Sequence, residues 1–211
     1  MKVRNSYHGT DGRQGGLLEA TGKVLALVRG VAAAGQAVGH VLAPGWVASA
    51  WGTPRAATKD EQRRLALPGK ALVTELVAEA FGPVETLSTS HTSGISVAVA
   101  GTAVVGRFGV DLIREFPERP GLARRIFSSE ELSGLLAPPT WRQVLRAAAL
   151  KEAAYKSLEA TEQRGVTFRQ IRLTWRIQDG LAEAHRGEGP AFAMVASALV
   201  EEFFVALSVA V

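Results

Sequence analysis

Three short stretches hold the side chains that can do chemistry. The first is Lys151-Glu152-Ala153-Ala154-Tyr155-Lys156, within a run of helical character. Glu152 and Lys156 stand one turn apart, so a helix presents them on one face. A carboxylate beside an ammonium suits a metal-bound, phosphorylated ligand: the carboxylate takes the cation and the ammonium a phosphate oxygen. The same pair on an exposed helix is an ordinary ion pair of about 0.2–0.5 kcal/mol. Upstream, Gly109-Val110-Asp111-Leu112 sets one Asp in a strand-like run. Further upstream, Ser88-Thr89-Ser90-His91-Thr92 brings two serines and a histidine to a turn.

The 211 residues are enough for one domain or two small lobes with a sizeable core. Hydrophobic residues make up 47% and charged residues 21%, a globular composition. The net charge of +4 suits phosphate-bearing ligands or an acidic protein partner. Without a dense basic run, it does not argue for nucleic acid. With no cysteine, disulfide and thiolate chemistry is excluded. Met1 to Gly16 is polar and lacks the apolar stretch of a signal peptide. Gly30 to Trp51 has no charged residue, but its Ala, Gly, Gln, His and Pro content makes a poor spanning helix. The expectation is a soluble, cytoplasmic protein.

The positioning elements follow from periodicity. Residues 1–22 read as a loose leader, and Lys23 to Ala34 as a short apolar helix or strand. Gln36 to Trp51 reads as extended segments meeting at Pro44-Gly45. Thr58 and Glu61 form a capping-box pattern for a helix to Phe81, with a kink or break expected at Pro68-Gly69. Leu87–His91 and Ile95–Ala100 form a hairpin, and Val104–Ile113 a strand with Asp111 near its end. Ser128 with Glu131 caps a short helix to Ala137. Thr140 with Gln143 caps a long helix to about Glu162, closed by Gly165. Strict alternation of Ile171, Leu173, Trp175 and Ile177 predicts a half-buried strand; Asp179-Gly180 turns into Leu181–Arg186, and the C-terminus returns to strands over Ala193–Ala198 and Phe203–Val211 about Glu201-Glu202. The hairpin at Ser90–Val99 resembles the one at Ser197–Leu207, which suggests two similar halves, each with a long helix and a terminal hairpin.

Taken together, Ser90-His91-Thr92, Gly109-Val110-Asp111-Leu112, Arg125-Ile126-Phe127-Ser128-Ser129-Glu130-Glu131 and Lys151-Glu152-Ala153-Ala154-Tyr155-Lys156 resemble the 4′-phosphopantetheinyl transferases in their two-lobed form. The resemblance spans roughly Thr58 to Gly187. It implies two similar α+β lobes, 1–105 and 106–211, packed about a pseudo-twofold axis with a cleft between them. It implies a magnesium-dependent enzyme, a cytoplasmic monomer. Such an enzyme moves the phosphopantetheine arm of coenzyme A to a serine of an apo acyl or peptidyl carrier protein in polyketide or nonribosomal peptide biosynthesis. Adenosine 3′,5′-bisphosphate is the other product. Asp111 and Glu152 would hold Mg²⁺, and Lys156 would reach the pyrophosphate. The base would be Glu152 or a metal-held water beside it. Ser90 and His91 match the element that contacts coenzyme A phosphate. Lys59 and Arg64 rank first among the helix cations for the 3′-phosphate, and Lys151 is left to pairing or packing.

The chain departs from the family's pattern at three places. Ile113 stands where many two-lobed members carry a second carboxylate, and Ala148 where an aromatic residue is common. Gly82 to Leu87 is too short for the Gly-Lys-Pro element. These departures favour a second reading, a carrier-protein-binding module that kept the fold without activity. Retention of Asp111, Glu152 and Lys156 together argues against it, since a binding module needs none of them.

Overall fold

The computed structural model describes residues 10–34, 38–43, 45–52, 58–92, 94–102, 106–133, 137–176, 181–200 and 202–210. The chain is mixed α+β, with helices packed on two antiparallel sheets. The first sheet takes β1 (Val38–Ala43), β2 (Trp46–Gly52), β3 (Thr86–Thr92) and β4 (Ile95–Gly101) in the order β1-β2-β4-β3. The second takes β5 (Phe108–Arg114), β6 (Ile171–Arg176), β7 (Leu181–Arg186), β8 (Ala191–Val200) and β9 (Phe203–Ala210) in the order β5-β9-β8-β7-β6.

One unit recurs in both sheets. A strand leads to a long helix, and the terminal hairpin's last strand returns to pair with that first strand. In the first sheet these are β2, α2 (Lys59–Phe81), β3 and β4. In the second they are β5, α5 (Trp141–Ser157), β8 and β9.

The N-terminal expectation is corrected. Residues from Thr10 onward are no leader: α1 (Thr10–Ala34) is a single helix. Leu17, Ala20, Val24, Val28 and Val31 are buried at helical spacing, so the apolar stripe begins before Lys23. That stripe packs on Leu42, Trp46 and Val97 of the first sheet and on Val110, Val205 and Leu207 of the second. Burial on both sheets outweighs the cost of interior glycines such as Gly22, about 1 kcal/mol each.

The opposite faces carry their own helices. Val73 and Val77 of α2 cover Val47, Trp51, Ala98 and Ala100. Of the kink or break expected at Pro68-Gly69, the break does not occur: α2 is one continuous helix. Leu145, Ala149, Leu150 and Ala153 of α5 cover Leu173, Ala184, Val195, Phe204 and Ala206.

Both downstream capping boxes form. Ser128 Oγ accepts from Glu131 N and Glu131 Oε2 from Ser128 N, starting α4 (Ser129–Ser133) after the short α3 (Leu122–Ile126). Thr140 and Gln143 make the reciprocal pair at the head of α5. α5 stops at Ser157, short of Glu162, because Leu158 turns extended and buries its side chain. Glu159 then caps a separate turn, α6 (Ala160–Gln163). Gly165 follows at φ 77°, a left-handed conformation that favours glycine. β5 begins at Phe108, which puts Asp111 at mid-strand opposite Ala206. Ile177, Asp179 and Gly180 lie outside the described residues.

Candidate active site

Strand alternation sorts the Gly-Val-Asp-Leu stretch. Val110 and Leu112 go into the core under α1, while Gly109 and Asp111 face α5. Gly109 is needed for close approach. A Cβ there would collide with the Ala153 carbonyl oxygen and come within 2.8 Å of Lys156 Cβ. Without that Cβ, the last turn of α5 lies directly on β5. Ser208 of β9 locks the contact, donating to Ala153 O at 2.6 Å and accepting from Gly109 N at 3.1 Å.

This approach brings Asp111, Glu152 and Lys156 together. Lys156 Nζ is 2.9 Å from Asp111 Oδ1 and 3.8 Å from Glu152 Oε1, and it also donates to Val110 O at 3.1 Å. Asp111 is buried; Glu152 and Lys156 are partly open, with side chains 31% and 23% exposed. Burial pushes the Glu152 carboxyl above the ordinary carboxylate range; Lys156 opposes the shift and the Asp111 charge adds to it.

Lys151 and Glu152 are neighbours with separate roles. Lys151 is fully buried and donates to Ile126 O at 2.8 Å and Glu131 Oε2 at 2.6 Å. Glu131 Oε1 takes the Leu173 amide at 3.2 Å. The ion pair thereby ties α5 to α3, α4 and β6, and burial pushes the Lys151 amine down. On the other side, Arg107 pairs with Glu159 and Glu162, fastening the corner after α5 to the start of β5.

Ser90 is drawn into the cluster. It is buried at 6% exposure, donates to Asp111 Oδ1 at 2.8 Å and accepts from Leu112 N at 3.1 Å. His91 lies inside β3, opposite Ser96, on the other side of the strand from Ser90, and is exposed. The side chains of Lys59 and Arg64 lie outside the described residues. Ile113 packs against the α5 core, a use that a carboxylate could not serve.

Ser88, Arg107 and Ser208 complete the surroundings, and the last two belong to none of the stretches singled out in the sequence. Only the alternation of β9, which aligns Ser208 with Phe204 and Ala206, could have placed Ser208 against α5.

Chemically, two carboxylates beside one ammonium leave room for a further cation. Magnesium takes one or two carboxylates with phosphate oxygens and waters, and the Asp111–Glu152 pair fits that donor set. Among the described residues no third acidic or histidine side chain joins them in a metal-binding group. Compared with known proteins, the chain matches no family model and no curated protein.

Proposed function

We propose that the chain is a two-lobed 4′-phosphopantetheinyl transferase acting on coenzyme A and an apo carrier protein. The lobes are 1–105 and 106–211, related by a pseudo-twofold axis, and the recurring strand–helix–hairpin unit supports that division. The carrying observation is that Asp111, Glu152 and Lys156, from β5 and α5, meet at one partly open site. An ordinary exposed helix pair would bring Glu152 and Lys156 together without a buried Asp from another element.

The residues divide the work. Asp111 and Glu152 would hold Mg²⁺, which when bound would offset charge on the pyrophosphate. Lys156 turns its ammonium to the pyrophosphate oxygens as the ligand arrives. The carrier's serine oxygen attacks the β-phosphorus, and the bond from that phosphorus to the bridging oxygen breaks. Adenosine 3′,5′-bisphosphate leaves with the electron pair. Glu152, or a water beside it, takes the serine proton. Catalysis is otherwise positioning and charge neutralisation.

One observation favours the inactive binding module: the Lys156–Asp111 pair also fastens α5 to β5, a purely structural use. Intact-mass measurement of an apo carrier incubated with the protein, coenzyme A and Mg²⁺ separates the two. A mass gain equal to one phosphopantetheine arm is expected. Binding of the carrier without that gain would leave the module.

A further inference from the structure

The two sheets meet where β3 runs beside β5, and the meeting is made by side chains. Ser88 Oγ accepts from Val110 N at 2.9 Å and Ser90 Oγ from Leu112 N at 3.1 Å. These amides lie on the edge of β5 away from β9, an edge that would otherwise be unpaired. Two serines at alternate positions of β3 thus supply successive hydroxyl rungs. They differ in one respect: Ser90 also donates its proton to Asp111 Oδ1 at 2.8 Å.

We infer that Ser90 is the positioning residue of the candidate site, its hydroxyl fixing the Asp111 carboxylate for a divalent cation. Ser90 is buried, and its hydroxyl is engaged by the Leu112 amide and the Asp111 carboxylate together. The Leu112 amide orients the oxygen, so the hydroxyl proton has one direction to go. With Ser90 and Lys156 both on Oδ1, Oδ2 takes no hydrogen bond among the described residues. It is the oxygen left to face a cation. Ser90 therefore acts through Asp111 and is not a direct ligand contact. This inference rests on reading Asp111 and Glu152 as the cation site.

The test uses Mn²⁺ alone with the full chain, free Mn²⁺ being followed by electron paramagnetic resonance. Ser88→Ala is the control, because it removes the same kind of rung without touching Asp111. Ser90→Ala is expected to weaken Mn²⁺ binding about ten-fold or more, as loss of an outer-shell partner does. Ser88→Ala is expected to leave it unchanged. Equal losses in both variants, or none in Ser90→Ala, would overturn the inference.

A second measurement needs no metal. Urea unfolding is compared for Ser90→Ala in the wild-type and Asp111→Ala backgrounds. The loss in midpoint should shrink when Asp111 is absent, while the loss from Ser88→Ala stays the same in both. An unchanged Ser90→Ala loss would overturn the positioning role. If wild type takes no Mn²⁺ but this coupling is present, the cation reading fails and Ser90 still positions Asp111. If Ser90→Ala does not fold, Ser90→Cys, with a weaker donor of similar shape, replaces it in both arms. Its losses should run in the same direction and be smaller.

Discussion

Glu152 sits where function and stability pull against each other. Its raised carboxyl means that the folded chain holds a proton more tightly than the unfolded chain does. That contribution is complete below the ordinary value of 4.5 and is lost as pH rises through the folded value. Glu152→Gln cannot ionise. In metal-free buffer its stability should therefore fall less than that of wild type between acid and neutral pH, as urea midpoints would record. A steeper fall in the variant would remove burial as the cause. The same substitution, like Asp111→Ala or Glu152→Ala, should nearly abolish transfer with the circular dichroism spectrum unchanged; wild-type-like turnover would end the metal assignment. His91, exposed on β3, calls for a ligand-side comparison. A charge-assisted bond to phosphate contributes roughly 1.5–3 kcal/mol, about ten- to a hundred-fold in affinity. His91→Ala should raise KM for coenzyme A by that order and affect 3′-dephospho-coenzyme A much less. Equal effects would move His91 to the pyrophosphate or to hairpin structure.

Among the elements, α5 is held at two points. The Lys151–Glu131 pair anchors its middle to α3, α4 and β6, and the Gly109 gap seats its last turn on β5. Lys151→Met leaves the half-buried Glu131 without its cation, and breaking a fully buried pair costs about 3–5 kcal/mol. Chemical unfolding of Lys151→Met should show a loss of up to that size, and a neutral result would mean that Glu131 gains another partner. Gly109→Ala is a smaller change with a double effect. The added Cβ meets backbone on α5, which cannot step aside as a side chain tip can. Overpacking of this kind costs roughly 1–3 kcal/mol. It also lifts Lys156 off Asp111, so transfer should fall further than the stability loss explains. Full activity in a destabilised Gly109→Ala would show that α5 can shift without disturbing the site.

At the scale of the whole molecule, α1 decides the arrangement. Its buried stripe serves one face of each sheet, and Trp46 of β2 stacks on Phe108 of β5 with ring centroids 5.7 Å apart. Both sheets and the site at their meeting edge thus come from one chain. Activity should therefore run with the monomer on size-exclusion chromatography. Activity confined to a trimeric fraction would point to the single-lobe form of the family. No helix among the described residues is long and apolar enough to cross a membrane.

What the sequence determined by itself is what short-range chemistry encodes. The caps at Ser128 and Thr140 are local reciprocal bonds, the alternation of Ile171, Leu173 and Trp175 in β6 is that of a half-buried strand, and Glu152 and Lys156 share a face by helical geometry. What the tertiary structure decided required a partner from far along the chain. The leader from Thr10 onward proved to be part of α1, whose apolar stripe from Leu17 finds two sheets to bury against. The helix after Thr140 ended early because Leu158 found a core site. Adjacent Lys151 and Glu152 were separated into a buried tie and an open carboxylate by Glu131, which reaches α5 only in the folded chain. Ser90, whose motif matches a ligand contact, was turned inward to Asp111 because the free edge of β5 needs its hydroxyl. Hydrogen-bond satisfaction across a sheet edge is a property of two distant strands, and neither strand's own pattern contains it.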